Sequence, residues 1–273
     1  MHDDKWRVPL VLVGFERAAP PGSARLRAPA LAIPPEQSGG MPGWLKPYAA
    51  WESAILTGGY RLTGSFLQGR GWQVNLKRIP RVWQQQGLGL PSRTRRRKFR
   101  NGCTIQPKGK TQHDVWSWDF VHDTYGHREP FRCLTVKDEA TRLGLAMAVG
   151  RSLTHQHVIE VLRQLMARYG RPQYLRRDNG SELVAHNLTT FLKDQKIIPS
   201  RIEPGNPWQN GRNESLNGTF RRECLDAELF ESLAEARVVS ENWRRLYNHE
   251  RPHSALGYQV PAAVFKGAMT RKT

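Results

Sequence analysis

Asp119, Asp178 and Glu214 are the residues of this sequence whose types and settings could do chemistry together. Asp119 stands within Val115-Trp116-Ser117-Trp118-Asp119-Phe120-Val121, a largely apolar run in which a charge is costly unless it is paired or holds a metal. Asp178 ends the run Gln173–Arg177, and in open α/β sheets functional groups gather at such strand ends. Glu214 follows the Pro- and Gly-rich stretch Pro207-Trp208-Gln209-Asn210-Gly211-Arg212-Asn213, and 35 residues separate it from Asp178 (214 − 178 − 1 = 35). Three carboxylates on separate elements suit hard divalent cations, Mg²⁺ or Mn²⁺, which take oxygen ligands and keep places for water and phosphate. Two such ions about 4 Å apart could clamp the attacking and leaving oxygens of an in-line phosphoryl displacement. One would activate water or a 3′-hydroxyl, and the other would stabilise the departing 3′-oxygen. The alternative is three unrelated surface acids.

The elements that must position them can be read from periodicity. Val115–Val121, Phe131–Val136 and Leu143–Val149 predict three strands, the last two joined through a polar turn over Lys137–Arg142. Thr154 is placed to N-cap a helix whose apolar face is Val158, Val161, Leu162, Leu165 and Tyr169, with Gly170 at its C′ position. A strand over Gln173–Arg177, a helix over Leu188–Lys196, a strand over Ile197–Ile202 and a helix carrying Glu214 follow. The order β-β-β-α-β-α-β-α predicts an α/β sheet, antiparallel on one side and parallel on the other.

Upstream, Leu62, Phe66 and Leu67 predict a short helix closed by Gly69 and Gly71. A second, basic helix is expected over Val74–Gln86, with Pro80 forcing a kink or a late start. Two short basic helices around a Gly turn fit a helix-turn-helix, with Lys77 and Arg78 facing DNA, or any small helical hairpin. Arg93, Arg95, Arg96, Arg97, Lys98, Arg100, Lys108 and Lys110 then form a run with no acidic residue, suited to lie along a phosphate backbone or to serve as a plain linker. Residues 1–57 are rich in Pro, Gly, Ala and Arg, and little regular structure is expected there. The expected divisions are 1–57, 58–90 (helix-turn-helix-like), 91–110 (basic linker), 111–230 (catalytic core) and 231–273 (helical extension and tail).

Composition agrees with a polyanionic partner. Lys and Arg number 42 against 24 Asp and Glu, a net charge of +18 (42 − 24), and the pI is about 10.4. Nucleic acid comes first among such partners, an anionic membrane surface second. No apolar run approaches the roughly 18–20 residues that cross a bilayer, and Asp3 and Asp4 sit where a secretory signal needs basic residues. Cys103, Cys133 and Cys224 lie far apart, which favours a reducing cytoplasm over a thiolate metal site.

From Trp116 to Leu256 the chain closely resembles the OrfB transposases of the bacterial insertion-sequence family made from two overlapping frames, relatives of retroviral integrases. The resemblance is carried by Trp116-Ser117-Trp118-Asp119-Phe120, Tyr174-Leu175-Arg176-Arg177-Asp178-Asn179-Gly180, and Ile202-Glu203-Pro204-Gly205-Asn206-Pro207-Trp208-Gln209-Asn210-Gly211. It continues through Glu214-Ser215-Leu216-Asn217-Gly218 and Tyr247-Asn248-His249-Glu250-Arg251-Pro252-His253-Ser254-Ala255-Leu256. It implies an RNase H-like core with a mixed sheet, and an Asp-Asp-Glu triad at Asp119, Asp178 and Glu214 with the family's 35-residue interval. A phosphate-holding basic residue then falls on Arg221, seven after the glutamate. It further implies metal-dependent cleavage and strand transfer on double-stranded DNA, a homo-oligomer on that DNA, and an OrfA product as a possible partner. Gly59-Tyr60-Arg61 and Gly71–Arg78 resemble the segment that precedes this core in the family, although Leu62 and Pro80 depart from its pattern. Residues 1–57 match nothing in that family and suit translation in a shifted frame, or a divergent arm. Two rival readings remain: a non-catalytic DNA-binding remnant, and an RNase H-type nuclease.

Other residues weigh less. His249 and His253 have a zinc-ligand spacing but no cysteine pair beside them, so contact with DNA or with the core is expected instead. His155 and His157 are expected at the surface, Trp208 in packing, and Asp123, Asp138 and Glu182 beside the site or incidental to it.

Overall fold

The computed structural model describes residues 16–17, 58–75, 77–85, 107, 109–177, 186–201 and 211–270; the side chains of 16–17, 177, 186, 201, 211–214 and 268–270 are not described. The chain forms two compact units, one ending at Ser92 and the other holding everything from Arg93 onward together with Ala49–Ala54.

In the first unit, β1 (Glu16–Arg17) pairs antiparallel with β2 (Trp72–Gln73), and two helices flank β2: α1 (Tyr60–Gly69) and α2 (Arg78–Gln85). Gly71 ends the first helix region at φ 80°, a left-handed conformation open to glycine without strain. The second helix starts late. Pro80 falls in its first turn, where a missing N–H costs nothing. Asn75 sets that start: its Oδ1 accepts from the Lys77 N–H at 2.9 Å, and its carbonyl from Arg78 at 2.8 Å. Leu67, Val74 and Ile79, with Tyr60 and Trp72 against them, form the unit's small core. Within residues 1–57 the described strand is a two-residue pairing, and the rest of that segment lies outside the described residues.

The second unit is built on a five-stranded sheet of order β5-β4-β3-β6-β7. Its strands are β3 (Val115–Tyr125), β4 (Glu129–Asp138), β5 (Gly144–Gly150), β6 (Tyr174–Arg177) and β7 (Ile198–Arg201). The pairs β3–β4 and β4–β5 are antiparallel, and β3–β6 and β6–β7 are parallel, as the element order requires. Helices α3 (His155–Tyr169), α4 (His186–Asp194), α5 (Gly211–Glu223), α6 (Leu233–His249) and α7 (Pro261–Thr270) complete it. Three antiparallel strands leading into two parallel ones, with helices between, is the RNase H-like arrangement.

Alternation along β3 divides its two faces. Trp116 and Trp118 enter the main core with Leu134 and Val136 of β4, Val158, Leu162 and Leu165 of α3, and Leu188 and Leu192 of α4. Thr154 N-caps α3 and Gly170 (φ 93°) closes it. Ala262 and Phe265 of α7 join the same core, so residues beyond 230 share it. The segment expected as a polar turn, which spans the end of β4 and the turn after it, is polar but buried: Lys137, Asp138, Glu139 and Thr141 are each at most 2% exposed. Hydrogen bonds offset that burial. Asp138 accepts from the Thr141 N–H and hydroxyl, both at 2.8 Å, and from the His113 N–H at 2.9 Å. Its role is a structural clip.

Candidate active site

Asp119 sits in the middle of the central strand, opposite Thr135 of β4. With Trp116 and Trp118 committed to the core on one face, the period of two turns Asp119 to the other, where α5 packs. Its carboxylate is half-buried and fixed at both oxygens. Oδ1 accepts from the Phe120 N–H at 2.8 Å, and Oδ2 accepts from Asn217 Nδ2 at 2.9 Å. Asn217 is fixed in turn, because Thr135 Oγ1 donates to its Oδ1 at 2.8 Å and lies 3.2 Å from the Asp119 carbonyl. β3, β4 and α5 are thereby joined at one carboxylate. Asn217 escaped the sequence reading; the signal that could have found it is its place one helical turn after Glu214.

One turn further along α5, Arg221 lies against the next part of β3. It donates to the His122 carbonyl, and its Nη1 is 3.5 Å from Asp123 and 3.6 Å from Asp226. The expected phosphate-holding group is thus shared with two carboxylates here, and Asp123 is its ion-pair partner. Glu214 lies in the first turn of α5, three residues before Asn217, with its side chain outside the described set. Asp178 lies outside the described residues, as do Trp208, Glu182 and the basic residues Arg93, Arg95, Arg96, Arg97, Lys98 and Arg100. Lys77 and Arg78, in the first unit, are exposed. Among the described residues no group of three or more His, Cys, Asp or Glu side chains could hold a metal. Burial pushes the thiols of Cys133 and Cys224 well above the usual cysteine range, so neither is a thiolate.

The motif Tyr247–Leu256 acts as a brace. Arg251 makes a two-pronged ion pair with Glu223, the last residue of α5, at 2.8 and 3.0 Å, and both side chains are buried. Asn248 accepts from the Gly144 N–H and donates to the Gly144 carbonyl, each at 2.8 Å, and Arg244 donates to that carbonyl at 3.0 Å. Tyr247 packs between Trp243 (5.0 Å between ring centroids) and His253 (4.6 Å), and Trp243 packs on Phe220 of α5 at 4.9 Å. The His249–His253 spacing therefore serves packing at His253, whose ring lies against Tyr247, while His249 ends α6.

The chain is similar to integrase core domains and to insertion-element proteins. Two models described as integrase core domain match residues 110–207 and 195–261. The 31.7 kDa protein of insertion element IS407 from Burkholderia multivorans is 35% identical over 208 residues, covering 75% of this chain and 74% of its own. The 39.2 kDa protein of insertion element IS476 from Xanthomonas euvesicatoria is 37% identical over 210 residues, or 76% of this chain; the chain spans 60% of that relative's length. The catalytic core domain of BIV integrase aligns at a TM-score of 0.45 and 20% identity, covering 59% of this chain and 98% of that domain.

Proposed function

Because the chain belongs to the insertion-element transposase family that carries an integrase core, we propose that it cuts DNA at the ends of its element and joins the freed 3′-hydroxyl to another strand. Asp119, Asp178 and Glu214 are the catalytic carboxylates of this reading. The observation that carries it is the fixed Asp119 carboxylate on the central strand, bonded to the helix that bears Glu214. The register gives further support. β3 and β6 pair Val115 with Tyr174, Trp116 with Leu175 and Ser117 with Arg176, a constant offset of 59 (174 − 115 = 59), and the same offset separates Asp119 from Asp178 (178 − 119 = 59).

The donor set fits Mg²⁺ or Mn²⁺: three carboxylates and no soft ligand, with Asp119 half-buried and pre-oriented by Asn217. Two such ions would supply Lewis-acid activation of the attacking oxygen and charge stabilisation at the leaving one. The chain's own residues bind and orient. Asn217 and the Phe120 N–H hold the Asp119 carboxylate in one rotamer, and Arg221 places a cation at the same edge of β3. The exposed Lys77 and Arg78 and the Arg93–Arg100 run meet phosphates of double-stranded DNA. A homo-oligomer on the two element ends, with the product of an upstream frame as partner, belongs to the same reading.

The test is joining of an oligonucleotide that carries the element's end sequence, in Mg²⁺. Wild-type protein joins it and Asp119→Asn does not, because the substitution removes the charge while keeping the shape. Equal joining by the two would defeat the reading.

A further inference from the structure

Arg176 lies two residues before Asp178 on β6, paired with Ser117 of β3, and its side chain is buried. Three segments meet at its guanidinium. Nη1 is in an ion pair with Glu139, in the turn after β4, with side-chain exposures of 5% and 1%. Nη2 donates to the carbonyl of Pro107, seven residues past Arg100 of the basic run. Gly109, two residues on, lies hard against the same turn. A Cβ there would stand 3.0 Å from Glu139 Cβ and 3.2 Å from the Ala140 nitrogen, tight enough that the turn would have to give by a few tenths of an ångström.

Stability alone does not account for this cluster. Desolvation offsets most of the attraction in so buried a pair, and apolar replacement of both partners is often neutral or better. What a guanidinium adds is direction: a planar fork that aims two donors at two fixed acceptors. Here the acceptors belong to the incoming linker segment and to the β4–β5 turn, and the fork is carried by the strand that runs into Asp178.

We infer that Arg176 is a positioning residue: it ties the end of β6, the strand that Asp178 follows in sequence, to the turn after β4 and to Pro107, and through that tie supports metal binding. The inference rests on the assignment of Asp178 as a metal-holding carboxylate. Glu139 is its counter-charge, and Gly109 is the close approach that lets the linker backbone reach the fork.

The full-length chain serves for the test, with Arg176→Lys and the double variant Arg176→Met with Glu139→Met. The double variant removes both charges at once and so avoids stranding either one. Three quantities are measured: melting temperature, Mn²⁺ affinity by electron paramagnetic resonance without DNA, and the Mg²⁺ concentration for half-maximal joining. We expect the double variant to melt within a few degrees of wild type, to bind Mn²⁺ about 10–100-fold more weakly and to need correspondingly more Mg²⁺. Arg176→Lys shifts the same way by a smaller factor. A folded double variant with wild-type Mn²⁺ affinity and Mg²⁺ requirement would show the pair to be structural only and overturn the inference. Should the double variant not fold, an unchanged Mn²⁺ affinity in folded Arg176→Lys overturns it equally. Asp178→Asn is the reference: if it binds Mn²⁺ as wild type does, the assignment of the site itself fails, and this inference with it.

Discussion

Asn217 donates to Asp119 Oδ2 while accepting from Thr135, so the carboxylate is oriented by a side chain that is itself held from a third element. A hydrogen bond to a charged acceptor contributes about 1.5–3 kcal/mol, and outer partners of metal-holding groups typically affect affinity or activity by about 10–100-fold. Asn217→Ala is therefore expected to lower joining by about 10–100-fold while the protein stays folded; circular dichroism and joining on the same sample check both halves. Thr135→Val, which leaves Asn217 in place but unsteadied, lies between that variant and wild type. Activity at wild-type level in Asn217→Ala would show that Asp119 needs no such support. Asp119 itself was legible in sequence as a charge in an apolar strand. Asn217 was not, since an amide on a helix gives no signal until the strand opposite it is known.

At the scale of elements, helix α5, which bears Glu214, is held at its far end by the Tyr247–Leu256 brace. Arg251→Met leaves Glu223 buried without its partner, and breaking a buried pair from one side costs about 3–5 kcal/mol. Urea denaturation should show that loss, and replacing Glu223 by Leu as well should recover most of it; a loss below about 1 kcal/mol would mean that the brace does not hold. The same element carries a pH dependence. Burial first, then the charges of Arg251, Lys137 and Arg142, lower the His253 pKa from 6.5 to about 3. Between those values the unfolded chain binds more protons than the folded one. This contribution is intact above pH 6.5 and falls as pH drops below it, by about 1.4 kcal/mol per unit. Denaturation midpoints at pH 7.5 and 5.5 should differ in wild type and converge in His253→Gln; parallel midpoints in the two proteins would exclude His253 as the source. The His-x₃-His spacing leaves contact with DNA or with the core open in sequence; for His253 the structure gives the second, because its ring packs on Tyr247.

For the whole molecule, element order foretold the sheet: three adjacent strands and then alternation can give the mixed arrangement seen in β5-β4-β3-β6-β7. The burial of Lys137, Asp138 and Glu139 was not foretold, since nothing in sequence shows that Arg176 partners Glu139 or that the His113 N–H partners Asp138. Nor was the share of the core taken by Ala262 and Phe265, which follow a motif that reads as a tail. The proposed phosphate-binding role of the basic run over Arg93–Arg100 rests on charge alone, independently of the carboxylates. In the proposed function binding and chemistry rest on different residues, and one paired measurement on Asp178→Asn separates them: Mg²⁺-dependent joining of an end oligonucleotide, and affinity for the same DNA across a salt series. The account predicts that joining is abolished while affinity and its salt dependence stay at wild-type level. Joining retained at the wild-type rate by Asp178→Asn would contradict it.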